Sequence, residues 1–343
     1  MEIGIDSFAA LLPDLKSNKP ALAGDRMTEL LDEIELADRV GLDVFGIGEH
    51  HREEYLDAAP AVILAAAAAR TRQIRLTSAV TVLSADDPVR VFQQFATLDL
   101  ISGGRAEVVV GRGSSTEAFP LFGWDMRDYD ALFAEKLDLF LRLRDETHVS
   151  WQGRFRPALT GQGVFPRPLQ DKLPIWLGVG GTPESFVRAG TLGLPLMVAI
   201  IGGSFKRFRP LVDLYREAGR KAGYPIEALK VGVHALGFVA DTAQSARDLF
   251  FPGWEYMFGK AGRERGWPAP SRAQFDQACS PAGAYLVGDA DTVVQRVLAM
   301  DEALGGVSRL TFQMTSAMLE PEAMQRSIEL LGTQVAPHLR SGR

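Results

Sequence analysis

The sequence predicts an α/β fold, a single (β/α)8 TIM barrel that occupies residues 1–343. Of the 343 residues, 46% are hydrophobic and 23% are charged, which is typical of a globular protein with a large core. Short apolar runs alternate with segments of helical periodicity, and eight such strand–helix units can be counted. An open doubly wound sheet would give similar local patterns, but the count of eight favours the closed barrel.

The first half of the barrel is predicted from four apolar or β-branched runs. These strands lie at 3–5, 44–47, 74–83 and 105–110. A loop with Pro13 and Pro20 leads to the first helix. That helix begins near Asp25, a candidate N-cap, and ends at Gly41, which suits a left-handed C-cap. The following helices are predicted at 58–70, 88–100 and 128–144.

The second half repeats the pattern, with insertions. Its strands are predicted at 174–179, 194–201, 229–239 and 308–314, and its helices from 183, at 205–222, at 291–304 and from 321. Residues 151–172, before the fifth strand, lack a helical period and predict an inserted hairpin or excursion. The pattern of residues 241–281, after the seventh strand, predicts a helix that continues into a long irregular excursion from the barrel. Aromatic residues there either cover a pocket or anchor the loop on the barrel.

Composition also limits the classes of partner. The formal net charge is −6 and the basic residues are scattered, so nucleic-acid binding is not expected. Cys279 is the single cysteine, which excludes an internal disulfide. No apolar run reaches the roughly 18 residues of a spanning helix, and no charged-then-apolar leader opens the sequence. We therefore expect a cytoplasmic protein that binds small molecules and no membrane.

A polar cluster, Glu49-His50-His51, follows the second predicted strand. Gly46 and Gly48 interrupt that strand and indicate that a bulky group approaches it closely. The carboxyl ends of parallel strands are where barrels bind ligands, so the cluster predicts a functional site. The alternative is a solvated strand end. No metal site is expected, because neighbouring side chains on an extended segment point in opposite directions and no HExxH or paired-Cys spacing is present.

Seven short motifs follow one another along the chain. They are GLDVFGIGEHH at 41–51, DPVR at 87–90, SGGR at 102–105, GRG at 111–113, GGTPES at 180–185, GLP at 193–195 and SIELL at 327–331. Each is weak alone, but in this order, over essentially the whole chain, they resemble one family, the bacterial luciferase-like flavin-dependent monooxygenases.

The resemblance implies a barrel that binds reduced FMN at the carboxyl ends of its strands. In this family oxygen adds to the flavin, and the resulting C4a-hydroperoxide passes one oxygen atom to a small organic substrate. The partners implied are that substrate, O2, a separate flavin reductase that supplies reduced FMN, and a second copy of the chain in a homodimer. Two alternatives stay open: a deazaflavin-dependent oxidoreductase that transfers hydride, and a non-catalytic flavin-binding protein of the same fold.

By the same resemblance, His50 matches the first His of the family's Glu-His-His motif and is the candidate catalytic residue. An imidazole suits proton transfer because its unperturbed pKa is about 6.5. Glu49 and His51 are expected to support the site. Ala79 and Val80 are expected to bind the cofactor, and the peptide bond between them is predicted to be cis, as in the family.

Four residues match the family's phosphate site: Gly180, Gly181, Thr182 and Ser185. Glycines let the backbone approach an anion, and the amides at a helix start face it. The alternative is an ordinary N-cap followed by proline. Arg112 matches an arginine that reaches the flavin phosphate, and a surface salt bridge is its alternative. Gly111, also expected at the cofactor, replaces the reactive Cys of bacterial luciferase, so light emission is not expected.

Overall fold

A parallel sheet closed into a barrel forms the centre of the computed structural model, which describes residues 1–11, 22–314 and 319–341. The strands in these ranges are β1 (Glu2–Ser7), β2 (Val44–Ile47), β3 (Arg75–Ser78), β4 (Thr81–Val82), β5 (Val108–Gly111), β6 (His148–Trp151), β7 (Leu159–Gly163), β8 (Ile175–Val179), β9 (Leu196–Ile200), β10 (Val231–Val239), β11 (Leu286–Gly288) and β12 (Arg309–Gln313). The predicted loop with Pro13 and Pro20 lies outside the described residues.

The strand order is that of a TIM barrel. It runs β3-β2-β1-β12-β10-β9-β8-β5-β4, and a parallel bridge from Leu76 to Ala106 joins β3 to the chain entering β5. Since β3 and β4 are two parts of one interrupted strand, the barrel has eight strand positions. The predicted (β/α)8 barrel is therefore confirmed.

Helices cover the outside of the barrel. They are α1 (Ala23–Arg39), α2 (Pro60–Arg70), α3 (Pro88–Ser102), α4 (Ala118–Leu121), α5 (Tyr129–Asp145), α6 (Pro183–Thr191), α7 (Arg209–Lys221), α8 (Ala243–Arg265), α9 (Arg272–Cys279), α10 (Ala290–Leu304), α11 (Pro321–Leu330) and α12 (Ala336–Ser341). Several begin with proline at the first helical position, where its missing N–H has no cost. Within the described part of the chain, no helix is both long and apolar enough to cross a bilayer.

Helix ends agree with the sequence signals at α3 but not at the start of α1. The Asp87 carboxylate accepts hydrogen bonds from the Val89 and Arg90 amides at 2.9 and 3.1 Å, and Gly103 ends α3 in the left-handed conformation. Helix α1 begins at Ala23 without a side-chain cap, so the prediction that Asp25 is its N-cap is wrong. Asp25 instead lies in the first turn, where its charge suits the helix dipole.

The third predicted strand is interrupted in the structure. Sequence predicts one strand over 74–83, whereas β3 ends at Ser78 and β4 resumes at Thr81. Between them the Ala79–Val80 peptide bond is cis, as predicted. Both halves are rich in β-branched and apolar residues, so composition alone does not reveal the break.

The two insertions differ in kind. Strands β6 and β7 pair antiparallel and form a hairpin between α5 and β8. After β10, the predicted helix is present as α8, but it is longer than expected, and α8 and α9 leave little of the predicted irregular excursion. Each of these helices begins with a capping box, at Thr242 with Ser245 and at Ser271 with Gln274. The short strand β11, which no sequence signal predicted, extends the sheet beside β10.

Alternate residues of the strands face two environments. On β12, Leu310 and Phe312 belong to the core between sheet and helices, whereas Arg309, Thr311 and Gln313 line the inside of the barrel. Small residues on other strands, among them Gly178 and Ala199, also line the inside. They leave space there, and this space is the candidate site.

Candidate active site

The barrel holds a cavity of about 850 Å³. This volume is within the range of small-molecule sites, roughly 300–1,000 Å³. All of the predicted site residues except Ser185 line it: His50, Ala79, Val80, Gly111, Arg112, Gly180, Gly181 and Thr182. Ser185 contacts this set through Arg112. Residues from the ends of four separate strands thus meet in one cavity.

His50 is held by a buried carboxylate. Its Nδ1 lies 2.9 Å from Asp57 Oδ2, and its backbone N–H donates to Asp57 Oδ1 at 3.1 Å. Asp57 is fully buried, and burial raises the pKa of its carboxyl although the hydrogen bonds from His50 act in the opposite direction. With Asp57 ionised, Nδ1 carries the proton and donates it. Nε2 has no hydrogen-bond partner among the described residues, so it is available to a ligand.

Glu49 and His51 form a second contact beside His50. His51 Nε2 lies 3.3 Å from Glu49 Oε1, and Glu49 Oε2 accepts the Val82 amide at 2.9 Å. The hydrogen bond to Glu49 raises the pKa of His51. Because Glu49 contacts both His51 and Val82 of β4, the pair connects the segment after β2 to the interrupted third strand.

Arg112 and two hydroxyl groups converge at the start of α6. Arg112 Nη2 lies 3.2 Å from Ser185 Oγ and 3.4 Å from Thr182 Oγ1. Its other terminal nitrogen, Nη1, pairs with Asp130 at 2.5 Å, so the predicted salt bridge and the predicted hydroxyl cluster coexist. Thr182 is the residue before α6, but its side chain makes no capping bond. The hydroxyl therefore belongs to the arginine cluster and not to a helix cap.

The glycines beside this cluster face open space. A Cβ atom placed on Gly180 or Gly181 would meet no heavy atom within 4 Å. Neither glycine is needed for local packing, and each leaves the backbone open to the cavity. Together with the amides that begin α6, the cluster is a concave surface suited to an anion.

The cis peptide lies on an apolar part of the cavity wall. Val80 packs against Val109, Trp176 and Met197, which form a small cluster inside the barrel. A Cβ on Gly111 would come within 2.7 Å of Val80, so glycine at 111 leaves room for that side chain. These side chains are apolar, which suits contact with the face of a ring.

Two glycines in and just after the second strand accommodate carboxylates. A Cβ on Gly48 would lie 2.6 Å from Asp57 Oδ2, the oxygen that meets His50. A Cβ on Gly46 would lie 2.1 Å from Asp6 Oδ1. The prediction that bulky groups approach the chain at these glycines is therefore confirmed. The group at Gly46 is the Asp6 carboxylate, and the groups at Gly48, the residue after β2, are the Phe8 ring at 2.5 Å and the Asp57 carboxylate.

Asp6 belongs to an imidazole–carboxylate pair that sequence reasoning missed. His234 on β10 places Nδ1 2.5 Å from Asp6 Oδ2, and the Thr311 hydroxyl donates to the same oxygen. Asp6 is 1% exposed, and His234 lines the cavity. The available signal was weak: single polar residues in strands that are otherwise apolar, whose meeting depends on the register of β1, β12 and β10.

Helix α8 lies over the cavity. Met257, Phe258 and Ala261 line it from one side, whereas Trp254 is buried in an aromatic cluster with Phe275. Some aromatic residues of this segment therefore cover the pocket and others anchor it, so both predicted roles occur.

Ion pairs fasten the cover to the barrel. Arg52, which follows the Glu-His-His cluster, pairs with Glu54 at 2.8 Å, with Glu117 of the segment before α4 at 2.5 Å and with Glu264 of α8 at 2.5 Å. Lys260 of α8 adds a contact to Glu54 at 3.0 Å. One arginine thus connects three elements at the rim of the cavity.

Comparisons with known proteins agree with this architecture. The luciferase-like monooxygenase family matches residues 1–306. A 4-hydroxyprotoasukamycin monooxygenase of Streptomyces nodosus subsp. asukaensis is 29% identical, over 96% of this chain and 91% of that protein. The monooxygenase RslO1 of Streptomyces bottropensis has a similar structure, with a TM-score of 0.83 and 26% identity over 99% of this chain and 100% of that one.

Two more distant structures share the fold and differ in cofactor. The oxygenating constituent of 3,6-diketocamphane monooxygenase from Pseudomonas putida, in complex with FMN, has a TM-score of 0.77 and 21% identity over 98% of each chain. The coenzyme F420-dependent tetrahydromethanopterin reductase of Methanopyrus kandleri has a TM-score of 0.74 and 20% identity over 98% of this chain and 99% of that one. Since the family match spans most of its length, the chain belongs to the luciferase-like monooxygenases.

Proposed function

We propose that the protein is a monooxygenase that uses reduced FMN and O2 to oxygenate a small organic substrate. One observation carries the proposal: an anion-binding cluster and an available imidazole share one cavity with an apolar wall. Arg112 with the hydroxyls of Thr182 and Ser185 forms the cluster, and His50 supplies the imidazole. This combination suits a ligand with a phosphate group at one end and a reactive ring at the other.

The phosphate of FMN fits the start of α6. Arg112 provides a fixed positive charge, Asp130 holds one side of its guanidinium, and the two hydroxyls add donors. The open backbone at Gly180 and Gly181 lets an oxyanion reach the amide groups. These residues would bind the cofactor without taking part in the chemistry.

The ring of the flavin fits the apolar wall at Ala79 and Val80. When bound, reduced FMN supplies the two electrons with which O2 delivers one oxygen atom to the substrate and the other to water. The chain's own residues exclude bulk water and handle protons. His50 can accept or donate a proton at Nε2, because Asp57 holds Nδ1 and stabilises the charged ring.

The substrate space is apolar. Phe8, Leu236, Met257 and Phe258 line the cavity away from the arginine cluster, and the cover α8 limits access of solvent. These walls favour a small organic molecule over a highly charged one. The sequence has no GxGxxG motif after a strand, the motif that would bind NAD(P)H, so we propose that a separate reductase supplies the reduced flavin. From the resemblance to the family we also propose that the protein acts as a homodimer.

The test is an anaerobic titration of the purified protein with reduced FMN, oxidised FMN and a reduced deazaflavin. We expect reduced FMN to bind most tightly, and addition of oxygen with a panel of apolar substrates to give an oxygenated product. Hydride transfer with the deazaflavin and no oxygen consumption would identify the protein as the alternative oxidoreductase. Tight flavin binding without any turnover would identify it as a non-catalytic binding protein. Direct, rapid NADPH oxidation by the protein alone would contradict the separate reductase.

A further inference from the structure

We propose that His234, held by Asp6 and Thr311, accepts the hydroxyl proton of the substrate, so that the substrate is an apolar phenol. The inference rests on the proposed function, since the oxygen atom comes from that reaction. It adds the class of substrate and the residue that recognises it.

The His234–Asp6 pair repeats the arrangement of His50–Asp57. In both pairs Nδ1 meets a buried carboxylate, at 2.5 Å for His234 and 2.9 Å for His50. Nε2 of His234 has no hydrogen-bond partner among the described residues, and the ring lines the cavity. The ring of Phe8 lies between the two imidazoles, 4.6 Å from His50 and 5.9 Å from His234. The cavity therefore presents two supported imidazoles.

Asp6 fixes which nitrogen of His234 meets the ligand. Its Oδ2 receives both the Thr311 hydroxyl and the imidazole, so an ionised Asp6 requires the proton of neutral His234 to be on Nδ1. Nε2 is then an acceptor. The matching group of a ligand must be a donor, such as a hydroxyl.

Gln313 adds a second unsatisfied group near His234. In the register of β10 and β12, His234 lies beside Thr311 and Leu236 lies beside Gln313, so Gln313 is one inward position farther along the barrel. Gln313 is 4% exposed, lines the cavity, and its Oε1 has no partner among the residues that the structure describes. A buried amide oxygen without a partner is costly, which indicates that a polar ligand completes it.

The position of the pair in the barrel assigns it to the substrate. The arginine cluster and the cis peptide belong to β3, β4, β5 and the turn after β8, whereas Asp6, His234 and Gln313 belong to β1, β10 and β12. The second group is therefore opposite the arginine cluster in the strand order, whereas the cis peptide is close to it, since a Cβ on Gly46 would lie 2.1 Å from Asp6 Oδ1 and 2.9 Å from the Ala79 Cβ. The pair thus lies on the side of the proposed ring and not of the proposed phosphate. The ring of Phe8 stacks on His234 at 5.9 Å and favours an aromatic body.

A phenol matches these features and the reaction. As the substrate is oxygenated, its O–H bond breaks and the electron pair of that bond moves into the ring, where a ring carbon forms a bond to one atom of O2. The O–O bond breaks, and the other oxygen atom leaves as water with the two electrons that reduced FMN supplies in the proposed function. The hydrogen on that ring carbon then leaves as a proton, which restores the aromatic ring. The hydroxyl proton moves to Nε2 of His234. The imidazolium that forms is stabilised by the carboxylate of Asp6, which makes Asp6 a positioning residue.

The experiment measures ligand binding without flavin, so its outcome is independent of turnover. Affinities of 4-propylphenol and of its methyl ether, 4-propylanisole, are compared by calorimetry, and 4-nitrophenol reports ionisation by its visible absorbance. We expect wild-type protein to prefer the phenol about tenfold, the value of one hydrogen bond. Bound 4-nitrophenol should show the phenolate band at a pH where the free compound is mostly neutral.

Variants separate the roles. His234→Phe should lose the preference for the phenol and the phenolate band while binding the ether as before, and Asp6→Asn should lose the band but retain part of the preference. His148→Phe is the matched control, since His148 is exposed on the β6–β7 hairpin, and it should behave as wild type. Equal affinity of wild-type protein for phenol and ether overturns the inference, even if His234→Phe fails to fold. A preference for the phenol over the ether that persists in His234→Phe also overturns the inference. Phenol recognition without an oxygenated product in the presence of reduced FMN and O2 would overturn the proposed function instead.

Discussion

In the proposed function, single residues divide the work of the site into holding the cofactor and reacting with the substrate. Arg112 contacts Thr182 and Ser185, whereas His50 contacts Asp57. The two groups come from different strand ends. Substitutions in one group are therefore expected to leave the task of the other intact.

Replacing His50 by alanine should reduce turnover and spare cofactor binding. The change removes a proton carrier whose contribution is typically about 10²- to 10³-fold in rate, and the arginine cluster is untouched. Rapid mixing of the reduced-flavin complex with oxygen and substrate measures the rate, and an anaerobic titration measures affinity. A His50→Ala protein that binds flavin poorly but reacts normally at saturation would show that the roles are reversed.

The double variant Thr182→Ala with Ser185→Ala should have the opposite effect. Loss of two hydroxyl donors should weaken reduced FMN binding by about 1 to 3 kcal/mol, because Arg112 and the backbone amides remain. Saturating flavin should restore most of the rate. Thr28→Ala serves as a control, since the Thr28 hydroxyl is exposed on α1 and donates only to a carbonyl of its own helix. An unchanged flavin affinity in the double variant would remove these hydroxyls from the site.

Among the single residues of the site, sequence motifs predicted some and did not reveal Asp6 and His234. His50, Arg112 and Thr182 lie in short motifs whose order was informative, and the structure gathers them in one cavity. Asp6 and His234 lie in no motif and are 228 residues apart. Only the register of a closed barrel brings them together, and a linear sequence does not state that register.

At the scale of elements, β2 shows how a strand makes room for polar side chains. Gly46 within the strand and Gly48 just after it lie where Asp6 and Asp57 need space, so this short segment accommodates both imidazole–carboxylate pairs. The sequence revealed that something bulky approaches, but the identity of the approaching groups required the structure.

The substitution Gly46→Ala tests this arrangement. The added methyl group would lie 2.1 Å from Asp6 Oδ1 and 2.9 Å from the Ala79 Cβ, so Asp6 must move. We expect a loss of about 1 to 3 kcal/mol in the free energy of unfolding, the usual range for overpacking, and disruption of the His234 contact. Chemical denaturation measures the first effect and nitrogen NMR of the His234 ring measures the second.

Gly24→Ala is the matched control for this prediction. Gly24 lies in α1, and a Cβ there would meet no atom within 4 Å, so the change should be neutral or slightly stabilising. Equal stability of both glycine variants would contradict the packing argument.

Elements with strong local signals were predicted better than those shaped by distant contacts. The proline and Asp87 that begin α3 define its start within the chain itself. Helix α8 contains Pro252 and three glycines and was expected to be irregular, yet it stays helical over 23 residues. Burial of Phe250 and Trp254 against neighbouring aromatic side chains outweighs the local propensity.

At the scale of the whole molecule, a buried ion-pair network joins strands from different parts of the barrel. Arg309 of β12 pairs with Glu107, which precedes β5, and with Glu2 of β1 at 2.7 Å. Arg75 of β3 reaches the same Glu107 at 2.9 Å. Burial alone would raise the pKa of Glu107, but the two arginines outweigh it and the pKa lies below its ordinary value.

This network predicts acid sensitivity of the fold. Because the folded pKa of Glu107 is lowered, its contribution to stability is complete above its ordinary value of 4.5 and is lost as the pH falls through the folded pKa. Glu107→Gln should destabilise the protein by about 3 kcal/mol at pH 7, since Arg309 loses a buried partner. The difference from wild type should shrink below pH 4.5. Denaturant unfolding of both proteins across this pH range is the measurement, and a difference that stays constant would contradict it.

The pairing of β1 with β12 also sets the order in which the site is completed during synthesis. Asp6 is made 228 residues before His234 and 305 residues before Thr311. At roughly 5–20 residues per second, its partners leave the ribosome on the order of ten seconds or more afterwards. A nascent chain that ends before β10 already contains Arg112 and Ser185 but not His234. We expect such a chain to form the arginine cluster of the proposed phosphate site early. His234 joins Asp6 only when the barrel closes, so the proton transfer proposed for His234 requires the complete barrel.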